Sequence, residues 1–222
     1  MGNLSENNNF VYLTVSLVVL LLVAALVDQF PVRHGQQLVQ AFTVITLLSG
    51  TIGFRNSRLR FRTGMGGVAA VVMVVLLGIL LDESGMHYLH LAILTGFYLW
   101  ATWVAATQVL FGGQIDRNKI IGAICIYLLL GMIWALLYLA IAQAVPGAFN
   151  GLEQAPWYEN FSAVAYYSYV TLTTLGYGDI SPVLPVARFL VYMEAIAGVF
   201  YIATLVASLI SIRLADIQAG NK

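Results

Sequence analysis

The sequence predicts an all-α membrane protein with six transmembrane helices and one short re-entrant helix between the fifth and the sixth. Three observations lead there. Of 222 residues, 60% are hydrophobic and only 9% charged, and the mean hydropathy is +0.87, so polar side chains are too few to cover a soluble core. The apolar residues fall into long runs rather than alternating patterns. Backbone groups in lipid must bond within their own segment, which makes each of those runs helical.

The spans are expected at about 10–27, 38–54, 66–81, 88–111, 120–145 and 185–212, each near the ~20 residues that a bilayer requires. The second and third are short and should tilt little. No basic segment precedes the first run, so it reads as a span and not as a cleaved leader. The segment 157–173 is too short, and too polar at its start, to cross the membrane. It fits a helix that enters and returns, which is tolerated at membrane depth only where protein buries it. Pro156 precedes this helix, and Glu159 is expected in its first turn, where the helix dipole favours an anion. The opposite end of that dipole carries partial negative charge toward the membrane centre and lowers the cost of a cation there.

Arg55, Arg58, Arg60 and Arg62 orient the chain, because basic clusters stay in the cytoplasm. By counting spans, both termini, Arg117, Lys119, Arg213 and Lys222 lie inside, while Asp82 and Glu83 lie outside. Arg33 is the main exception.

The stretch after the re-entrant helix, Thr171 to Asp179, reads TLTTLGYGD. A potassium ion sheds its water only if a ring of oxygens replaces that water at nearly equal cost, and backbone carbonyls can form such a ring. Gly176 and Gly178 can adopt backbone conformations closed to residues with a Cβ, so that consecutive carbonyls share one axis. Thr174 can add its hydroxyl. The string Thr174, Leu175, Gly176, Tyr177, Gly178, Asp179 resembles the signature of the tetrameric potassium channel superfamily. The resemblance implies K+ ligation by the carbonyls of Thr174, Leu175, Gly176 and Tyr177, with Gly178 completing the filter. It also implies a homotetramer, since one chain supplies one filter and a pore needs four. Most relatives have valine where this chain has Leu175, a side chain expected to pack behind the filter.

The resemblance covers the pore half, about 120–216, most closely. Tyr166 and Tyr167 stand eight and seven positions before Thr174, where relatives usually place two aromatic residues that hold the filter open. With Thr173 and Asp179 they are the expected filter support, and Asp179 should accept a hydrogen bond from Tyr166. Simple packing of amphipathic tyrosines near an interface is the alternative. Val170 lacks the carboxylate that some relatives place behind the filter. Gly198 lies nineteen residues beyond Asp179, within AIAGV, where voltage-gated relatives carry a hinge glycine. Close helix packing would explain a glycine there equally well. By the same alignment and the helical period, Ile202, Val206 and Ile210 should face the inner cavity, as a hydrophobic constriction able to close by dewetting. The Pro-x-Pro kink of voltage-gated relatives is missing.

Glu194, an ionisable residue inside a membrane helix, is by default a functional candidate. It should reach the back of the pore helix near Ser168 or Thr171, coupling the last helix to the filter and offering protonation as a gate. A structural, hydrogen-bonded Glu is the plainer reading.

Residues 1–111 resemble a voltage-sensor domain only in helix number and placement, with 112–119 as a cytoplasmic linker and 120–222 as the pore domain. No charged residue occurs between His90 and Asp116, so the fourth helix offers a membrane field almost nothing to pull on. Phe97, Tyr98, Trp100 and Trp103 read as lipid or packing contacts. The four arginines are candidates for anionic lipid contact, although topology alone accounts for them. His87 and His90 beside Asp82 and Glu83 offer only a weak metal or pH-sensing pattern. Cys125, the single cysteine, cannot form an intrachain disulfide.

No enzyme motif is present, no cofactor is expected apart from K+ ions in the filter, and no nucleic-acid partner is implied by a net charge of zero. No soluble ligand domain is read after the last helix, so gating by nucleotide or calcium would need a separate partner. The expectation is a voltage-independent potassium channel of multi-pass topology in a prokaryotic inner membrane. A weakly selective cation channel and a non-conducting accessory or scaffold subunit remain as alternatives.

Overall fold

The computed structural model describes residues 9–30, 35–53, 57–81, 85–111 and 117–220. Within them the chain forms α1 (Asn9–Gln29), α2 (Gly35–Gly53), α3 (Arg58–Leu81), α4 (Gly85–Phe111), α5 (Arg117–Ala144), α6 (Phe161–Leu172) and α7 (Pro185–Gly220), with two very short strands, β1 (Phe149–Asn150) and β2 (Ser181–Pro182). Arg55, Asp82, Glu83 and the linker residues 112–116 lie outside the described residues.

Among the described residues, five stretches are long and apolar enough to cross a membrane: Phe10–Gln29, Arg58–Gly78, Met86–Val109, Asn118–Ala144 and Pro185–Ser208. The apolar stretch of α2, Gln37–Gly53, is shorter. Successive helices pack side by side from α1 to α4, and both α1 and α4 also lean on α5. The short helix α6 touches both α5 and α7. Lipid is as apolar as the side chains it would replace, so close packing and internal hydrogen bonds hold such helices together. Where α1 meets α2, the Ser16 and Ser49 hydroxyls are 2.6 Å apart and the Thr46 hydroxyl donates to the Ser16 carbonyl at 3.2 Å. Leu13, Leu17 and Leu20 of α1, Tyr98 of α4 and Leu129, Met132, Leu136 and Leu139 of α5 belong to one buried cluster.

Three expected boundaries are corrected. The third helix begins at Arg58 rather than 66, so Arg58, Arg60 and Arg62 ride its first turns. Arginine is a good helix former, and its long stem carries the guanidinium away from the apolar body. The last helix continues past 212 to Gly220. The short helix expected from 157 starts at Phe161, because residues 156–160 form a turn in which the Glu159 and Asn160 amides both donate to the Pro156 carbonyl, at 3.0 and 3.4 Å. Asn160 is the N-cap, and Glu159 therefore sits before the helix and not in its first turn. The Asn160 side chain ties down the preceding loop instead of capping, donating to the Glu153 and Ala155 carbonyls at 3.0 and 3.4 Å.

The two strands pair antiparallel, Phe149 opposite Pro182 and Asn150 opposite Ser181. The Val183 amide extends the link by donating to the Ala148 carbonyl at 2.9 Å. The segment after α5 is thereby joined to the segment before α7. Pro185 then opens α7 at the first helical position, where a missing N–H costs nothing.

Candidate ion-conducting site

Residues 173–179 leave the C-terminal end of α6 and fold back onto it. The last carbonyls of a helix have no partner within it, and here the emerging loop supplies one. The Leu175 and Gly176 amides donate to the Val170 carbonyl at 2.9 and 3.3 Å, and the Thr174 amide to that of Thr171 at 2.9 Å. The Thr173 hydroxyl donates to the Tyr169 carbonyl at 2.6 Å.

Three residues of the loop have positive φ: Thr174 at 60°, Gly176 at 58° and Gly178 at 83°. The glycines accept this freely. Thr174 does not, because a β-branched residue in the left-handed region is an outlier costing about 1–3 kcal/mol. Thr173 through Asp179 are all exposed in the single chain, with Tyr177 67% and Leu175 56% accessible. The expectation that Leu175 packs behind the loop is therefore not met within one chain, since the fold brings no wall of its own against it.

The far end of the loop is tied to α6. The Tyr166 hydroxyl donates to Asp179 Oδ2 at 2.8 Å, and Asp179 Oδ1 accepts from the Ile180 amide at 3.1 Å. The rings of Tyr166 and Tyr177 stack at 6.4 Å and 10°. Tyr167 turns the other way, into a buried aromatic group with Tyr138 and Phe149 at centroid distances of 5.4 and 5.8 Å. The two tyrosines thus part company: one faces the loop and the other faces α5. Behind Asp179 lies Gly151, at φ 80°, whose missing Cβ would collide with the Asp179 carbonyl oxygen.

The back of α6 is fastened by hydroxyls. Tyr127 donates to the Leu172 carbonyl at 3.1 Å, and Tyr169 to the Leu128 carbonyl at 2.7 Å. Glu194 of α7 is fully buried, with Ser168 Oγ at 2.6 Å from Oε1 and the Tyr138 hydroxyl at 2.5 Å from Oε2. Of the two contacts expected for Glu194, the one to Ser168 is present as a hydrogen bond. Two glycines permit these approaches. A Cβ on Gly198 would strike the Leu172 carbonyl oxygen, and one on Gly131 would strike the ring of Tyr169.

Helix α7 runs unbroken through Gly198. Ile202 and Val206 beyond it are 46% and 48% exposed, while the side chain of Ile210 lies outside the described residues. Among the helix-four aromatics, Phe97 and Tyr98 are buried whereas Trp103 is 72% exposed, so packing claims the first two. Arg58 and Arg62 are exposed and Arg60 is half-buried. His90 lies against Trp157 at 4.9 Å, and His87 meets Tyr158 edge-on at 6.0 Å. No cluster of His, Cys, Asp or Glu among the described residues could hold a metal ion. Just before α6, burial and then the Glu159 carboxylate raise the Tyr158 phenol above its usual range.

Sequence reasoning missed Gly151, Gly131, Tyr127, Tyr138 and Tyr169. The only available signal for the tyrosines was a polar tip on an otherwise apolar helix, a group that must find a partner when it is buried in a membrane protein.

Residues 122–213 match the family described as ion channel. The inward rectifier potassium channel Kirbac3.1 of Paramagnetospirillum magnetotacticum is 34% identical over 95 residues, which are 43% of this chain and 29% of that protein. No solved structure matches the chain. The matched segment begins within α5 and extends through α6, the TLGYGD loop and most of α7. Over this pore-side segment the chain is similar to the ion channels, and to a potassium channel among them.

Proposed function

We propose that four copies of this chain surround one axis as a potassium-selective channel, with Thr174–Gly178 as the filter. The observation that carries this reading is the loop itself: three positive-φ residues, Thr174, Gly176 and Gly178, within a TLGYGD string that is bonded at one end to Val170 and at the other to Tyr166. In the proposed mechanism, the carbonyls of Thr174, Leu175, Gly176 and Tyr177 and the Thr174 hydroxyl replace the waters of K+ as it enters. The C-terminal end of α6 points its partial negative charge at the ion path. Tyr166, with Thr173 and Asp179, holds the loop against collapse, while Tyr167 anchors α6 to α5 behind it.

Assembly is supported by exposure. Only 11% of the apolar stretch of α7 is buried in the single chain, against 56% for α5, and the whole loop 173–179 is uncovered. Irregular backbone is tolerated at membrane depth only where it is buried in protein or lines a water-filled path. Neighbouring copies would supply both, and would also give Leu175 the wall it lacks. In that arrangement Ile202, Val206 and Ile210 line the inner cavity as a hydrophobic constriction.

The remaining features complete the proposal. The chain is read as six spans with α6 re-entrant, both termini cytoplasmic, in a prokaryotic inner membrane. The first four helices form a degenerate sensor-like domain with no gating charge in the fourth. Arg55, Arg58, Arg60 and Arg62 then lie at the cytoplasmic surface, suited to anionic headgroups.

The test is potassium efflux from liposomes that contain the purified chain, with sodium substitution and Gly176→Ala as the control. Selective flux that is lost in the variant establishes the channel. Equal sodium and potassium flux would mean a weakly selective pore, and silence at all voltages and lipid compositions would mean a non-conducting subunit.

A further inference from the structure

Ser168 carries one hydroxyl proton, yet its oxygen lies 2.7 Å from the Gly131 carbonyl oxygen and 2.6 Å from Glu194 Oε1. A carbonyl oxygen can only accept, and so can both oxygens of a carboxylate. If Glu194 were ionised, Ser168 could satisfy one of the two and would press its lone pairs against the other. Tyr138 gives no relief, because its hydroxyl is committed to Oε2 at 2.5 Å. The carboxyl is the one group of the three able to carry a further proton.

We propose that Glu194 is a neutral carboxylic acid whose proton heads a relay across three helices: Glu194 Oε1–H of α7 donates to Ser168 Oγ of α6, and Ser168 Oγ–H donates to the Gly131 carbonyl of α5. Every contact then has one donor and one acceptor. The surroundings agree. Among the described residues, the titratable groups that face Glu194 are the phenols of Tyr127 and Tyr138 from α5 and of Tyr167 and Tyr169 from α6. None of these is a cation, and a fully buried carboxylate without one is costly.

The relay positions α6 from behind, opposite the face that carries Tyr166 and the ion path. Removing the proton leaves Ser168 with two acceptors and only one hydrogen, so the bond to Gly131 or the bond to Glu194 must open. Glu194 is in this sense a positioning residue whose support for the filter is present when it is protonated and lost on alkalinisation. This consequence rests on the channel reading, whereas the location of the proton does not.

Infrared difference spectra of the reconstituted full chain, wild type against Glu194→Gln, read the proton directly. The expected result is the carbonyl stretch of a protonated carboxylic acid at neutral pH, absent in Glu194→Gln and shifted in Ser168→Ala, which deprives the acid of its acceptor. No such band in wild type of normal helicity would overturn the proposal. Potassium efflux against pH reads the consequence. Wild-type flux should fall severalfold on alkalinisation, while Glu194→Gln, whose amide can still donate to Ser168 and accept from Tyr138, should show no such fall. An unchanging wild-type flux would overturn the regulatory role. A band present with no flux in any variant would support the proton and overturn the channel reading instead.

Discussion

The Tyr166 hydroxyl donates to the Asp179 carboxylate at 2.8 Å, closing a loop that contains Thr174, Leu175, Gly176, Tyr177 and Gly178. One end of that loop is already fixed by the Val170 carbonyl, and this bond fixes the other. Tyr166→Phe keeps the ring that stacks on Tyr177 and removes only the donor. Potassium flux should become less selective or decay faster during sustained conduction, with the helical content unchanged. Identical selectivity and decay in the variant would show that the bond plays no part in holding the filter.

Gly198→Ala addresses the last helix. Its Cβ would strike the Leu172 carbonyl oxygen at the end of α6, and overpacking of this kind typically costs about 1–3 kcal/mol. A lowered Tm in detergent is expected, together with altered flux. An unchanged Tm would mean that the approach of α7 to α6 is looser than described, and would return Gly198 to a hinge role alone.

Gly151 and Gly147 form a matched pair. Both have positive φ, 80° and 77°, but a Cβ on Gly147 meets nothing whereas one on Gly151 runs into the Asp179 carbonyl oxygen. Alanine at either site bears the backbone strain, commonly about 1 kcal/mol or more. Only Gly151→Ala should disturb the Asp179 end of the proposed filter, seen as reduced potassium selectivity with Gly147→Ala as the reference. Equal effects from both would make strain, not contact, the cause.

Voltage should matter little. One elementary charge moved across the membrane is worth about 2.3 kcal/mol per 100 mV, and no residue from 91 to 115 carries a charge. Current recorded in planar bilayers should show no steep activation with voltage. A steep curve would require charge movement elsewhere in the chain.

The orientation can be read with one thiol. Cys125 is fully buried, so a Ser57→Cys variant offers a new reactive site just ahead of α3. A membrane-impermeant thiol reagent should label it from the cytoplasmic face. Labelling from outside would invert the proposed topology.

Much of the protein was legible in the order of its residues, for identifiable reasons. Long apolar runs can be nothing but helices in lipid, and TLGYGD carries its chemistry in backbone conformations that only its glycines accept freely. The Tyr166–Asp179 contact was implied by the family resemblance, and its two residues lie only 13 positions apart, one on α6 and one at the end of the loop that follows it. The boundaries of α3 and α6 were less legible: arginines suit a helix and a loop alike, and the turn at Pro156 replaces helix where the apolar pattern already looks continuous.

Tertiary structure alone decided what stands behind α6. Glu194, Ser168, Tyr138 and Gly131 are separated by up to 63 residues of chain (131 to 194), and no periodicity assigns a donor to an acceptor across three helices. Helical periodicity by itself does not say that Tyr167 turns into the aromatic group on α5, since each successive residue is rotated by about 100° and only the packing of α5 supplies Tyr138 as its neighbour. The fold class, the loop and its chemistry are local properties of the chain. The proton on Glu194 is a property of three helices brought within hydrogen-bonding distance.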